Sequence, residues 1–296
     1  RDGTVTGVQT CALPIFAALR KVLSEHTYAD RFAYLASKLS NTTIKIGSSL
    51  ITVLAVADSP EALKKIIASY SSQTYSTKQL KVLVKGKWDV DRESGLESAS
   101  YFTEKQYQHL TLANIFGDSK FTTLMVSDDY YGPNYLQDMA LTRRYTQSKL
   151  VGKSSFFEYA NSLEQNNVGG VYRPVDALLL RSAMVASELI GNIDVKRFVS
   201  DYQQFEVRSG DGLGIDAFNY CRNGNGGRGV SERVDDLSNV NVGMGLSEIY
   251  LVAEQIKPAK ALEDSSPNLD VTELNQMIVP RANIGVSLSL DEFDLL

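Results

Sequence analysis

Apolar and polar residues follow one another along this chain in short blocks, and the period of each block predicts its element. Leu50–Val56 is a run of apolar, mostly branched residues, the pattern of a strand covered on both faces. Ser59-Pro60 then supplies a cap and a preset φ for a helix reaching Tyr70, with Ala62, Leu63, Ile66 and Ile67 on its buried side. Leu80–Val84 is the next strand, which completes a β-α-β unit. After a polar loop over Asp89–Ala99, Glu104–Phe116 reads as a helix and Phe121–Val126 as a further strand. Pro133 opens a helix running to about Tyr145. Leu150–Tyr159 and Tyr172–Leu180 read as strands on either side of a loop at Asn161–Gly170, and Ala183–Ile190 as a short helix. Strands alternating with helices predict an α/β fold, a mostly parallel sheet flanked by helices.

The flanks read differently. Phe16–Leu39 carries Leu19, Val22, Leu23, His26, Phe32, Leu35 and Leu39 at spacings near three and four, an amphipathic helix that needs something to pack on. Asn41–Ser49 is a polar connector. Beyond Phe218, Asn223–Gly229 is a glycine-rich, flexible stretch, and Gly245–Lys257 fits one more helix. From Ala261 onward seven acids face a single base, Arg281, which suits a mobile acidic tail or the remnant of another module. Val5–Ile15 matches, residue for residue, the translation of a common short-read sequencing adapter, so residues 1–15 are expected to be a non-native scar. The native chain would then continue upstream of Phe16, and Cys221 would be its one cysteine.

Composition narrows the class. A formal net charge of −5 argues against a general nucleic-acid binder, which needs a basic face. One genuine cysteine excludes an intrachain disulfide framework and fits a reducing compartment such as the cytoplasm. No apolar run has the length of a membrane span.

The chemistry concentrates at Leu124–Leu136, where the strand ends in Asp128-Asp129 and a Gly-Pro turn leads into a helix. In an α/β sheet such a loop lies in the crevice beyond the carboxyl ends of the strands. Two adjacent carboxylates there suit a magnesium or manganese ion, which prefers oxygen ligands and completes its shell from substrate phosphates. The same residues also make an ordinary turn and cap. Asp58, at the end of the first strand, is open to two readings as well, a contact to ribose or base and a helix cap.

Three segments in order resemble family 2 glycosyltransferases, which have the GT-A fold. Ile51–Leu63 looks like that family's opening strand and turn, Gln73-Thr74-Tyr75 matches its Gln-Thr-Tyr, and Asp128-Asp129-Tyr130-Tyr131-Gly132-Pro133 resembles its metal-binding Asp-x-Asp-Asp and the helix start that follows. The resemblance covers roughly Ile51 to Asn223, within a GT-A domain expected over residues 50–230. It implies a nucleotide-sugar donor, a divalent metal held by Asp128 and Asp129, and a glycan or other hydroxyl acceptor. Asp58, Asp129, Tyr131 and Lys85 are the implied substrate contacts. Gly214–Phe218 takes the place of the family's downstream acidic pair, which makes Asp216 the candidate general base and Asp211 the alternative. Residues 16–49 look like the end of a missing upstream module, with residues 231–296 an acidic extension, and peripheral membrane association is among the implied partnerships. The chain departs from the family where Val126 replaces the first acid of the metal motif and Ile215 the first acid of the downstream pair. Those losses leave a catalytically impaired GT-A-like binding or scaffolding module as the alternative.

Overall fold

The computed structural model describes residues 12–43, 47–88, 90, 97–160, 162–166, 171–225 and 240–241, with the side chains described from residue 19. The chain divides into two units, Arg1–Glu248 and Ile249–Leu296. The second unit lies outside the described residues, as do the expected helix at Gly245–Lys257 and the acidic tail.

The strands are β1 (Ile51–Ala57), β2 (Lys78–Val84), β3 (Ser100–Phe102), β4 (Phe121–Met125), β5 (Tyr130–Tyr131), β6 (Leu150–Gly152), β7 (Phe156–Tyr159), β8 (Leu163–Asn166), β9 (Pro174–Leu179), β10 (Ala183–Ala186), β11 (Glu206–Gly214) and β12 (Tyr220–Arg222). The helices are α1 (Ala12–Glu25), α2 (Tyr28–Ser40), α3 (Pro60–Ser71), α4 (Glu104–Tyr107), α5 (Leu112–Phe116), α6 (Tyr135–Leu141), α7 (Ser187–Ile190) and α8 (Val195–Ser200). The main sheet has the order β3-β2-β1-β4-β10-β6-β11-β9, and β5-β12-β7-β8 form a smaller one. β3, β2, β1 and β4 are parallel neighbours, β10 runs antiparallel to both β4 and β6, and β11 is parallel to β6. The protein is therefore α/β with a large, mostly parallel sheet flanked by helices.

Period-two alternation places the core on both faces of that sheet. In β1, Ile51, Val53, Ala55 and Ala57 pack with Leu63 and Ile66 of α3 and with Tyr135 and Met139 of α6. Leu54 and Val56 point the other way, to Ile115 and Phe116 of α5 and Phe198 of α8. With every residue of β1 buried, the unbroken apolar run is the sequence expected of a central parallel strand. α3 begins where Ser59 Oγ accepts from Ala62 N at 3.2 Å and Pro60 supplies the first helical residue.

Several expected elements divide. Phe16–Leu39 is two helices, because Thr27 and Asp30 form a reciprocal capping box that starts α2 afresh. Glu104–Phe116 likewise breaks into α4 and α5, each opened by its own box, Thr103 with Gln106 and Thr111 with Asn114. His109 is exposed in the turn between them. Leu150–Tyr159 is split between the two sheets, as β6 and β7. The first half of the helix expected at Ala183–Ile190 is β10, an interior strand of the main sheet. Four apolar residues fit either element by pattern, and ladder partners on both sides decide the outcome. The polar, glycine-containing β11 and the strand β8 inside the expected loop carry too little apolar periodicity to be read from sequence.

Candidate functional site

The order 3-2-1-4 places a topological switch point between β1 and β4, because the chain adds β2 and β3 on one side of β1 and then crosses to the other. Ligands of open α/β sheets bind outside the carboxyl ends of the strands at such a point. The last register pair of these two strands is Ala55 with Met125. Three residues further along each strand come Asp58 and Asp128, one acid on either side of the crevice. Asp58 is exposed and accepts from Ser59 Oγ at 3.3 Å, while Asp128 is half-buried and meets Ser127 Oγ at 3.4 Å. Both charges act on the buried Tyr202 hydroxyl, whose pKa is raised by burial first and by these carboxylates in addition.

Asp129, one residue on, has a different environment. It is 0% exposed, and its carboxylate is enclosed by donors from distant parts of the chain. Arg181 pairs with it through both Nε, at 2.7 Å from Oδ2, and Nη2. Tyr220 donates its hydroxyl to Oδ2 at 2.8 Å, and Asn223 N donates to Oδ1 at 2.9 Å. Burial opposes charge on Arg181, but the hydrogen bonds and charge of Asp129 outweigh it and raise the guanidinium pKa further. Burial, then the neighbouring Asp129 charge, push the Tyr131 and Tyr220 hydroxyls well above the usual phenol range, so both remain protonated.

Two of the expected site residues have their polar atoms engaged within the core. Asp129, expected at metal and substrate, has both oxygens committed to buried partners and acts as an internal anchor. Tyr131, expected at the substrate, is 2% exposed. Its ring packs against Tyr135 and Tyr220, and its hydroxyl accepts from Val126 N while lying 3.1 Å from the Arg181 carbonyl. The polar rim of an aromatic side chain has here been consumed by the core. Lys85 is exposed at the carboxyl end of β2, where its amide donates to the Ala57 carbonyl at 2.8 Å.

Asp216 follows β11, whose partner β6 ends beside it, since Gly214 is in register with Gly152. Because β6 and β4 run the same way, Asp216 lies at the same edge of the sheet as Asp128. It is 6% exposed. Its Oδ1 accepts from Lys153 Nζ at 2.9 Å and from Phe218 N at 3.0 Å, while Oδ2 has no hydrogen bond among the described residues. Lys153 also lies 4.0 Å from Asp138, which takes a bidentate contact from Arg20 of α1 at 2.6 and 3.0 Å. Asp138 has its pKa raised by burial, which the Arg20 and Lys153 charges oppose without reversing. Asp211, the alternative base, is exposed on β11 and bonded to Ser209 and Lys149 N. Sequence reading passed over Tyr202 and its exposed neighbour Asp201, which follow the short, unpredicted α8. It also passed over Arg181 and Lys153, which carry no motif.

No group of three or more His, Cys, Asp or Glu side chains could hold a metal among the described residues. Among the described residues the Asp128 carboxylate takes part in no ion pair, and one protein carboxylate suffices when phosphates supply most of the shell. A phosphate-borne metal therefore fits Asp128 and does not fit Asp129.

No protein-family model matches the chain, and no curated protein matches it either. Among solved structures it is similar to S. aureus TarS 1–349, at 13% identity and a TM-score of 0.41, over 59% of this chain and 60% of that one. It is also similar to glucosyl-3-phosphoglycerate synthase from Mycobacterium tuberculosis in complex with manganese, uridine diphosphate and glucosyl-3-phosphoglycerate. That match has 13% identity, a TM-score of 0.35, and covers 66% of this chain and 78% of the other. The chain thus spans about 60% of the length of the TarS structure it matches.

Proposed function

We propose that this chain is a GT-A glycosyltransferase, moving a sugar from a nucleotide-sugar donor to a hydroxyl of a glycan or cell-surface acceptor with inversion at the anomeric carbon. The observation that carries the reading is the pair Asp58 and Asp128 at the switch point between β1 and β4. In this reading Asp58 meets the nucleoside, Lys85 approaches phosphate, and Asp128 holds the divalent metal, manganese or magnesium. A bound metal would offset charge on the departing diphosphate. The acceptor oxygen bonds to the anomeric carbon as the bond from that carbon to the diphosphate oxygen breaks, and a carboxylate takes the acceptor proton.

Asp216 is the proposed base, with Oδ1 tied to Lys153 and Phe218 N and Oδ2 left for the acceptor hydroxyl. Asp201 is a second reading, favoured by its exposure and by adjacency to Tyr202, which feels both Asp58 and Asp128. Asp216→Asn and Asp201→Asn, compared at a temperature where melting curves show both folded, separate them, since the true base variant loses turnover while keeping donor affinity.

The overall reading is tested by titrating manganese against a panel of nucleotide-sugars, with Asp128→Ala as the control. Metal-dependent donor binding that the variant loses supports it. If the parent chain binds no donor more tightly with metal and neither transfers nor hydrolyses any, the enzyme reading fails. Binding of a glycan or nucleotide without turnover would instead identify the non-catalytic module. No helix among the described residues is long and apolar enough to cross a membrane.

A further inference from the structure

The partners of Asp129 come from two separate places, and together they tie the Asp128-Asp129 loop to both. Arg181 precedes β10, Tyr220 lies in β12, and Asn223 follows it. The neighbouring Asn225 reinforces the tie, with its side-chain amide donating to the Asp129 carbonyl at 2.7 Å and its backbone N–H to the Asp128 carbonyl at 2.8 Å. Lys65 of α3 closes the far side of the same strap, its Nζ 3.2 Å from the Asn225 carbonyl. Asp128 is thus held at its backbone from one side by Asn225 and through Asp129 from the other. Among the described residues its own carboxylate has only the long Ser127 contact.

We propose that Arg181 is a positioning residue for the metal-binding loop. By pairing with Asp129 it fixes the loop and the Tyr220–Asn225 strap together, so that Asp128 is presented to the metal and Asp129 is not a ligand. A buried, doubly bonded guanidinium suits this task because it fixes direction as well as charge, which an ammonium in the same place does not. The inference rests on the reading that Asp128 holds a phosphate-borne metal.

The test measures binding of uridine, guanosine and thymidine diphosphates with manganese and again with chelator, alongside the melting temperature. Asp128→Ala in the parent background tests the underlying reading by itself. If the parent shows metal-dependent binding that Asp128→Ala abolishes, the reading stands and the inference can be judged separately. Arg181→Met and Asp129→Asn are then expected to weaken the manganese-dependent binding by similar factors, about tenfold, and the double variant by no more than either single one, since the two act as a unit. Binding in chelator should hardly change. Arg181→Lys keeps the charge and the fold while losing the fork, and is expected to show a smaller loss of the same kind. The inference is overturned if Asp129→Asn abolishes metal-dependent binding while the folded Arg181→Lys retains parental affinity, or if the two losses multiply in the double variant. Either result makes Asp129 a ligand in its own right.

Discussion

Lys153 and Asp216 form an ion pair of 2.9 Å that is sealed between the end of β6 and the turn after β11. The Lys153 side chain has no exposed surface, so its ammonium depends on Asp216 and on Asp138 beyond it. Removing one member of such a pair leaves the other charged and unsolvated, whereas removing both leaves no stranded charge.

Lys153→Met is therefore expected to destabilise the protein by about 3–5 kcal/mol. The double variant Lys153→Met with Asp216→Asn should recover a substantial part of that loss. Urea denaturation of the two variants and the parent measures both quantities, and a double variant less stable than Lys153→Met would contradict the pairing.

Asp128 is half-buried and bonded weakly, so Asp128→Ala should change stability by no more than about 0.5 kcal/mol. Isothermal titration with manganese and a nucleoside diphosphate should nevertheless show metal-dependent binding lost. A variant that binds metal and nucleotide as the parent does would remove Asp128 from the site.

Asp138 has a folded pKa raised above its unfolded value, so the folded protein holds that proton more tightly. Its contribution to stability is fully present below about pH 4, the unfolded carboxylate range, and is lost as pH rises through the folded pKa. The parent should accordingly gain stability relative to Asp138→Asn as pH falls from neutral toward about 4. Melting temperatures of the two proteins across that range check the sign, and an opposite trend would mean that Arg20 and Lys153 dominate.

Gly152 ends β6 where the backbone of the next strand passes very close. A Cβ added there would stand 2.6 Å from the Ser182 carbonyl oxygen and 2.7 Å from Ala183 Cα. Neither is a flexible side chain, so Gly152→Ala must shift backbone and should cost about 1–3 kcal/mol. Gly210, with open space around its Cβ position, is the control, and Gly210→Ala should cost under about 1 kcal/mol. Chemical denaturation of both variants compares them.

The exposed apolar face of α2 shows where pattern and packing part. Tyr28, Phe32, Leu35 and Leu39 recur at the spacing of one helix side, and that spacing correctly identifies a helix. They remain exposed, Tyr28 at 88%, so the pattern identified an apolar face without specifying a partner for it.

Local chemistry was readable along the chain because its causes lie within a few residues. The unbroken apolar run of β1 and the Ser59-Pro60 start of α3 are both set by near neighbours. The fate of Asp129 was not readable. Its partners Arg181, Tyr220 and Asn223 lie 52, 91 and 94 residues away in sequence. Two adjacent aspartates are chemically identical until a fold surrounds them, and desolvation then separates them: the one supplied with buried donors becomes structure, while the one left at the crevice has no ion pair among the described residues. The residues themselves place acids at the end of a central strand, and only the tertiary structure decided which of them is enclosed by buried donors.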